Sequence, residues 1–188
     1  MLPSLEIRND DVLQTTETTT AHQRADLDGR TLFEAFLEAD DLFKKYEYPC
    51  TLAICADGLF GNKEWVAHLK AHKERYRFEL HCFEHKNHKD IPITELEAEL
   101  LTAKGMIRRY LDTEVTMWYP PFGRKGTPEW GDKVCENIGI KMYHQIGKVD
   151  AKLWLKNPDK YPHINFHFWN RSQVEHIKEI LKRIHESN

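Results

Sequence analysis

Apolar positions along the 188-residue chain follow two rhythms that take turns. Short β-like runs appear at Leu5–Asp10 (LEIRND), Thr51–Ala56 (TLAICA), Arg77–His81 (RFELH), Glu114–Tyr119 (EVTMWY), Lys141–Ile146 (KMYHQI) and His163–Phe168 (HINFHF). Between them the apolar residues recur at helical spacing, three and four apart. Leu32, Phe33, Phe36, Leu37 and Phe43 share one face from Thr31 onward. Trp65, Val66 and Leu69 follow Asn62, a residue type suited to an N-cap. Leu96, Leu100, Ile107 and Leu111 lie on one side of a long helix opened by Pro92 and Thr94, with Thr94 and Glu97 spaced as a capping box. A helix is expected around Pro128–Asn137, and a last one over Ser172–His185 carries Val174, Ile177, Ile180, Leu181 and Ile184. Two stretches lack either rhythm. Gln14–Arg30 is polar and reads as a long loop, and Gly147–Pro162 is irregular.

Strands alternating with helices predict an α/β fold with mostly parallel strands. No GxGxxG or GxxxxGK[ST] is present, which argues against the dinucleotide and P-loop forms of that class. A distorted or partly open (β/α) barrel remains, formed by a single domain over residues 1–188. Apolar residues are 40% and charged residues 30%, an ordinary soluble composition. The net charge of -3 supplies no broad basic face for nucleic acid. No apolar run approaches the ~20 residues of a membrane span. The four cysteines form no CxxC pair, and the start MLPSLEIRNDD has no apolar signal core. A cytoplasmic protein with free thiols is expected.

In (β/α) barrels functional groups gather at the C-terminal ends of the strands, and the polar residues of interest fall there. Asp10 and Asp11 end the first run, His81 the third and Tyr119-Pro-Pro-Phe122 the fourth, with His167 near the end of the last. His144 lies within the fifth run and Asp150 beyond it. His81 and His85 sit in HCFEHKNH, four apart. On an extended strand they would stand about 13 Å apart, too far to share an ion. Chelation requires the strand to stop near His81 and a helical turn to bring the rings together. The plain alternative is a solvated histidine-rich loop, the reading preferred for His88. An Asp-Asp pair can equally be a turn or a cap, but at a strand end both carboxylates can face one site. There one could ligate an ion and the other accept a proton. His167 lies among apolar residues, where it is either a core histidine or a tuned acid–base group.

The order Asp-Asp, HxxxH, PPFG and a late apolar-x-apolar-His resembles the polysaccharide deacetylase family, the NodB-homology group of carbohydrate esterases. The likeness runs from Leu5 to His167. It implies a distorted (β/α) barrel and metal-dependent removal of N-acetyl or O-acetyl groups from a sugar or glycan precursor. By that resemblance Asp10 is the general base, Asp11, His81 and His85 are the metal ligands, and His167 is the general acid. Two imidazoles and a carboxylate suit zinc first, with cobalt, nickel, iron or manganese compatible. Tyr119, Pro121, Phe122 and Trp154 are expected to meet the sugar. The sequence departs from the pattern at three points. Tyr119 stands where the family has the arginine that holds the base, leaving Arg8 or Arg124 to take over. Cys82 replaces Ser or Thr, and the acid that tunes the late histidine has only Asp150, near Trp154, as a candidate. A catalytically silent carbohydrate-binding domain, or a hydrolase of a non-sugar amide, is the competing reading. The oligomeric state is left open.

Overall fold

The computed structural model describes residues 5–15, 20–144 and 151–187. Six strands form one sheet: β1 (Glu6–Val12), β2 (Cys50–Cys55), β3 (Tyr76–Cys82), β4 (Met117–Trp118), β5 (Lys141–Met142) and β6 (His163–His167). Their order is β5-β4-β3-β2-β1-β6, and every neighbouring pair is parallel. The helices are α1 (Ala21–Leu27), α2 (Leu32–Lys45), α3 (Lys63–Ala71), α4 (Ile93–Leu111), α5 (Gly131–Asn137), α6 (Ala151–Lys156) and α7 (Arg171–Glu186). The sheet curls into a half-barrel with helices outside. Among the described residues no helix is long and apolar enough to cross a membrane.

The period-2 alternation of the strands sorts side chains between two very different environments. Ile7, Leu52, Ile54, Phe78, Leu80, Ile164 and Phe166 join helix residues such as Phe36, Phe43, Leu100, Ile107 and Ile180 in one apolar core. Phe43 stacks on Phe166 with ring centroids 5.8 Å apart. The alternate positions carry polar groups into the concave side and satisfy one another there. Glu6 accepts from Thr51 and from the Tyr119 hydroxyl, each at 3.1 Å. The gap between the edge strands β5 and β6 is bridged by the rings of Tyr143 and His163, 5.4 Å apart.

Five expectations from the pattern change. The stretch from Gly147 to Pro162 is not all irregular, since α6 forms within it, and of Lys141–Ile146 only Lys141–Met142 pairs as a strand, residues 145 and 146 lying outside the described set. The polar stretch before Arg30 is not all loop, since α1 forms within it, capped by Thr20. The helix after Pro92 starts at Ile93 with Pro92 as N-cap, so Thr94 lies inside it and the Thr94–Glu97 box does not form. EVTMWY pairs as a strand only at Met117–Trp118. The buried Glu79 carboxylate takes the N–H groups of Thr116 and Met117 at 2.8 and 2.7 Å, replacing a strand ladder with a side chain.

Candidate metal and catalytic centre

β1 delivers two adjacent carboxylates to one site by breaking its own regularity. Asp11 takes the left-handed conformation at φ 60, and the pairing with β2 shifts register between Asn9 and Val12. A regular strand would send Asp10 and Asp11 to opposite faces; the kink turns both toward the strand ends, and aspartate tolerates this conformation better than most residues. Leu13 is also left-handed at φ 66, and Gly58 packs on its backbone so closely that a Cβ would lie 1.7 Å from the Leu13 carbonyl oxygen. Gly58→Ala is therefore expected to cost roughly 1–3 kcal/mol through overpacking. It should lower Tm by about 2–4 °C per kcal/mol, measured by thermal denaturation.

β3 ends at Cys82 and the chain bends over residues 83–85, without a helical turn. That bend is enough to bring the His81 and His85 rings to a centroid separation of 5.3 Å. Both Nε2 atoms face Asp11 Oδ1, at 3.2 Å from His81 and 3.0 Å from His85. The three ligand atoms lie within 4.8 Å of one another. The donor set fits a cation. His81 Nδ1 lies 2.6 Å from the Tyr119 carbonyl oxygen, which can only accept, so Nδ1 carries the proton. A neutral His81 then turns the lone pair of Nε2 toward a carboxylate oxygen that is buried and has no hydrogen-bond partner in the protein. A positive charge between them resolves that opposition, and the carbonyl fixes the ring's tautomer as metal-ligating histidines require. Burial alone would raise the Asp11 carboxyl; positive charge on His167 and donation from protonated His81 and His85 rings, the only way those rings can satisfy it without an ion, would hold it well below the usual carboxylate range. Burial lowers His85 and its contact with Asp11 outweighs this, raising it.

Asp10 is gripped from its own strand. Arg8 donates through Nε to Oδ1 at 2.6 Å and through Nη2 to Oδ2 at 3.0 Å, and Asn165 of β6 donates to Oδ2 at 3.1 Å. The guanidinium lies over the rings of Tyr119 and Tyr143, at 4.2 and 4.9 Å. Burial raises the Asp10 carboxyl, Arg8 more than offsets it, and the group stays below its ordinary value. Tyr119 thus stacks on the arginine that serves Asp10. The side chain of Arg124 lies outside the described set.

His167 ends β6 with Nε2 3.7 Å from Asp11 Oδ2. Gln173 Oε1 accepts the His167 backbone N–H at 2.8 Å, which fixes the amide's orientation, so Nδ1 at 3.2 Å is the donor to the same oxygen. Among the described residues, an amide from α7 is thus the partner of His167 Nδ1. Asp150 lies outside the described residues. Asp11 Oδ2 is itself held by Trp169 Nε1 at 3.2 Å and by Gln23 Nε2 at 3.4 Å.

Of the residues expected to meet a substrate, Phe122 is 59% exposed, with its ring centroid 5.0 Å from that of His85. Tyr119 and Pro121 are buried, and Trp154 packs into the core from α6, so these three present no open face. His144 is exposed and pairs with Asp132. His88 is not a solvated loop residue. It is fully buried, bonded to Glu99 at 2.8 Å and edge-on to Trp118, anchoring the loop after the bend to α4. Cys82 is a buried thiol with Sγ 3.4 Å from that of Cys55. Arg8 was one of two arginines the sequence offered; Gln23, Gln173 and Asn165 were not singled out by it.

The half-barrel is the fold of the family 4 carbohydrate esterases. Among solved structures, a family 4 pseudoenzyme from Bacillus anthracis superposes with TM-score 0.68 at 14% identity, over 100% of this chain and 62% of that one. The peptidoglycan deacetylase PdaC from Bacillus subtilis gives TM-score 0.66 at 14% identity, over 100% of this chain and 85% of that one. The Xyl-CE4 domain of a multidomain xylanase from the hindgut metagenome of Trinervitermes trinervoides gives 0.67 at 11%, over 100% and 85%. No curated protein sequence matches the chain. The family model for polysaccharide deacetylases matches residues 30–142, more than half of the sequence, and the chain belongs to that family. The match includes His81, His85 and the PPFG turn; Asp10, Asp11 and His167 fall outside it and are tied to the site by geometry.

Proposed function

We propose that the protein is a divalent-metal-dependent deacetylase acting on an N-acetylated or O-acetylated sugar of a glycan or glycan precursor. The observation that carries this reading is the convergence of Asp11, His81 and His85 on one point, with Asp10 on the adjacent residue and His167 across it. A divalent ion held by Asp11, His81 and His85 supplies Lewis acidity: it lowers the pKa of a water and polarises the acyl carbonyl. Asp10, kept ionised by Arg8 and Asn165, takes the proton of the attacking water. His167, held through Nδ1 by Gln173, delivers a proton from Nε2 to the leaving nitrogen or oxygen of the sugar. Acetate leaves with the new C–O bond. Gly123 N–H is already bonded to the Pro120 carbonyl at 3.1 Å, and prolines at 120 and 121 have no N–H. The N–H of Phe122 is the donor left for the developing oxyanion. The exposed Phe122 ring gives the sugar an apolar face beside the ion.

Acetate release tests this directly, because one structural neighbour is a pseudoenzyme and a silent glycan binder would share the fold. Chelator-stripped protein reloaded with zinc is expected to release acetate from N-acetylglucosamine oligomers or acetylated xylan. Stripped protein should release none. Zinc-loaded protein that binds glycans without releasing acetate, or that cleaves only non-sugar amides, would contradict the proposal.

A further inference from the structure

We infer that α1 is a strap that sets the metal-ligating carboxylate, with Gln23 as the positioning residue for Asp11. The inference rests on the ion site proposed above. Gln23 is 5% exposed although its helix lies in a polar stretch of the chain. Its amide has one possible orientation. Oε1 accepts the backbone N–H of Thr20 at 2.7 Å, the reciprocal half of a capping box, while Thr20 Oγ1 accepts the N–H of Gln23 at 3.2 Å. Both hydrogens of Nε2 then point inward, one to Gln14 Oε1 at 2.9 Å and one to Asp11 Oδ2 at 3.4 Å. With Trp169 on the same oxygen, Oδ2 is committed to two donors and Oδ1 is the oxygen turned toward the imidazoles of His81 and His85. Donors behind a ligating carboxylate fix its orientation, and their loss typically weakens metal binding about 10- to 100-fold.

Linkage makes the effect reciprocal. α1 has seven residues, below the ~12–15 at which an isolated helix holds in water. Its place depends on tertiary ties. Asn170 donates to Asp26 and Arg171 to Asp28, each at 2.9 Å, and the His22 ring meets Trp169 edge-on. An ion that fixes Asp11 adds Gln23 to those ties, so loading the site should quiet α1.

Zinc titration calorimetry and hydrogen exchange, neither of which reads catalysis, test this on the full chain. Gln23→Met, of similar shape but without the donors, is expected to bind zinc about 10- to 100-fold more weakly. Thr20→Ala removes the Oγ1 half of the cap but keeps the Thr20 N–H that orients the Gln23 amide; it should loosen residues 21–27 and weaken zinc binding in the same direction as Gln23→Met but by less. Zinc should raise amide protection over residues 21–27 in the wild type and not in Gln23→Met. Wild-type zinc affinity in Gln23→Met, with exchange over α1 unaffected by zinc, overturns the inference while leaving the ion site intact. A wild-type protein that binds no zinc overturns the ion site itself, and the strap with it.

Discussion

Asp10→Asn is expected to lower kcat for acetate release by roughly 10²–10⁴-fold, the usual contribution of a positioned proton acceptor. The amide keeps the shape, and its one carbonyl oxygen can accept from Arg8 Nη2 and Asn165, but its NH2 then faces the Arg8 Nε–H and the buried charge pair is lost, so Tm should fall along with kcat. Zinc affinity should stay nearly unchanged, because the proposed ligands are Asp11, His81 and His85. A kinetic loss confined to kcat, with KM and metal content preserved, identifies a group that acts on the proton. Parallel loss of zinc would instead make Asp10 a ligand.

Arg8→Met carries the second large effect, and it is felt first in stability. Arg8 and Asp10 have side chains only 8% and 7% exposed and are joined by two hydrogen bonds. Removing the arginine strands a buried carboxylate, which typically costs about 3–5 kcal/mol. Tm should fall by about 2–4 °C per kcal/mol, and activity should fall with it as Asp10 is left unheld or protonated. Arg8→Lys keeps the charge but loses the two-pronged grip and the stacking on Tyr119, so it should rescue little. The Tyr119 ring lies 4.2 Å from the Arg8 guanidinium carbon, so Arg8→Met combined with Tyr119→Arg returns an arginine to Asp10 from β4's side. That pair is expected to recover both stability and kcat relative to Arg8→Met alone. No recovery would mean that the arginine must come from β1.

The residues that announced themselves in the sequence were those whose type and position are both unusual. An Asp-Asp pair at the end of an apolar run, and two histidines four apart after another, marked in advance the side chains that the structure brings together. Their mode of convergence was not visible. Asp11 reaches the site through a left-handed kink backed by Gly58, and His85 through a bend where a helical turn was expected. Gln23 stayed hidden because α1 has no apolar stripe; it buries only Gln23 and Leu27. The Thr20-x-x-Gln23 spacing was its one local signal. Gln173 and Asn165 gave none, since an amide's role depends on what faces it across the sheet. His88 misled for the opposite reason: its neighbours are polar, yet Glu99 and Trp118 enclose it from α4 and β4. The fold class was legible from alternation alone. The shortness of β4 was not, because it follows from Glu79 taking over two backbone N–H groups from the next strand.

The most direct test of the metal centre is anomalous diffraction at the zinc edge from crystals of the zinc-loaded protein. One peak is expected, about 2.0–2.2 Å from Asp11 Oδ1 and the Nε2 atoms of His81 and His85, with Asp10 outside the ligand set. No peak there, or a zinc ion held by other residues while Asp11 stays paired with the two imidazoles, would contradict it.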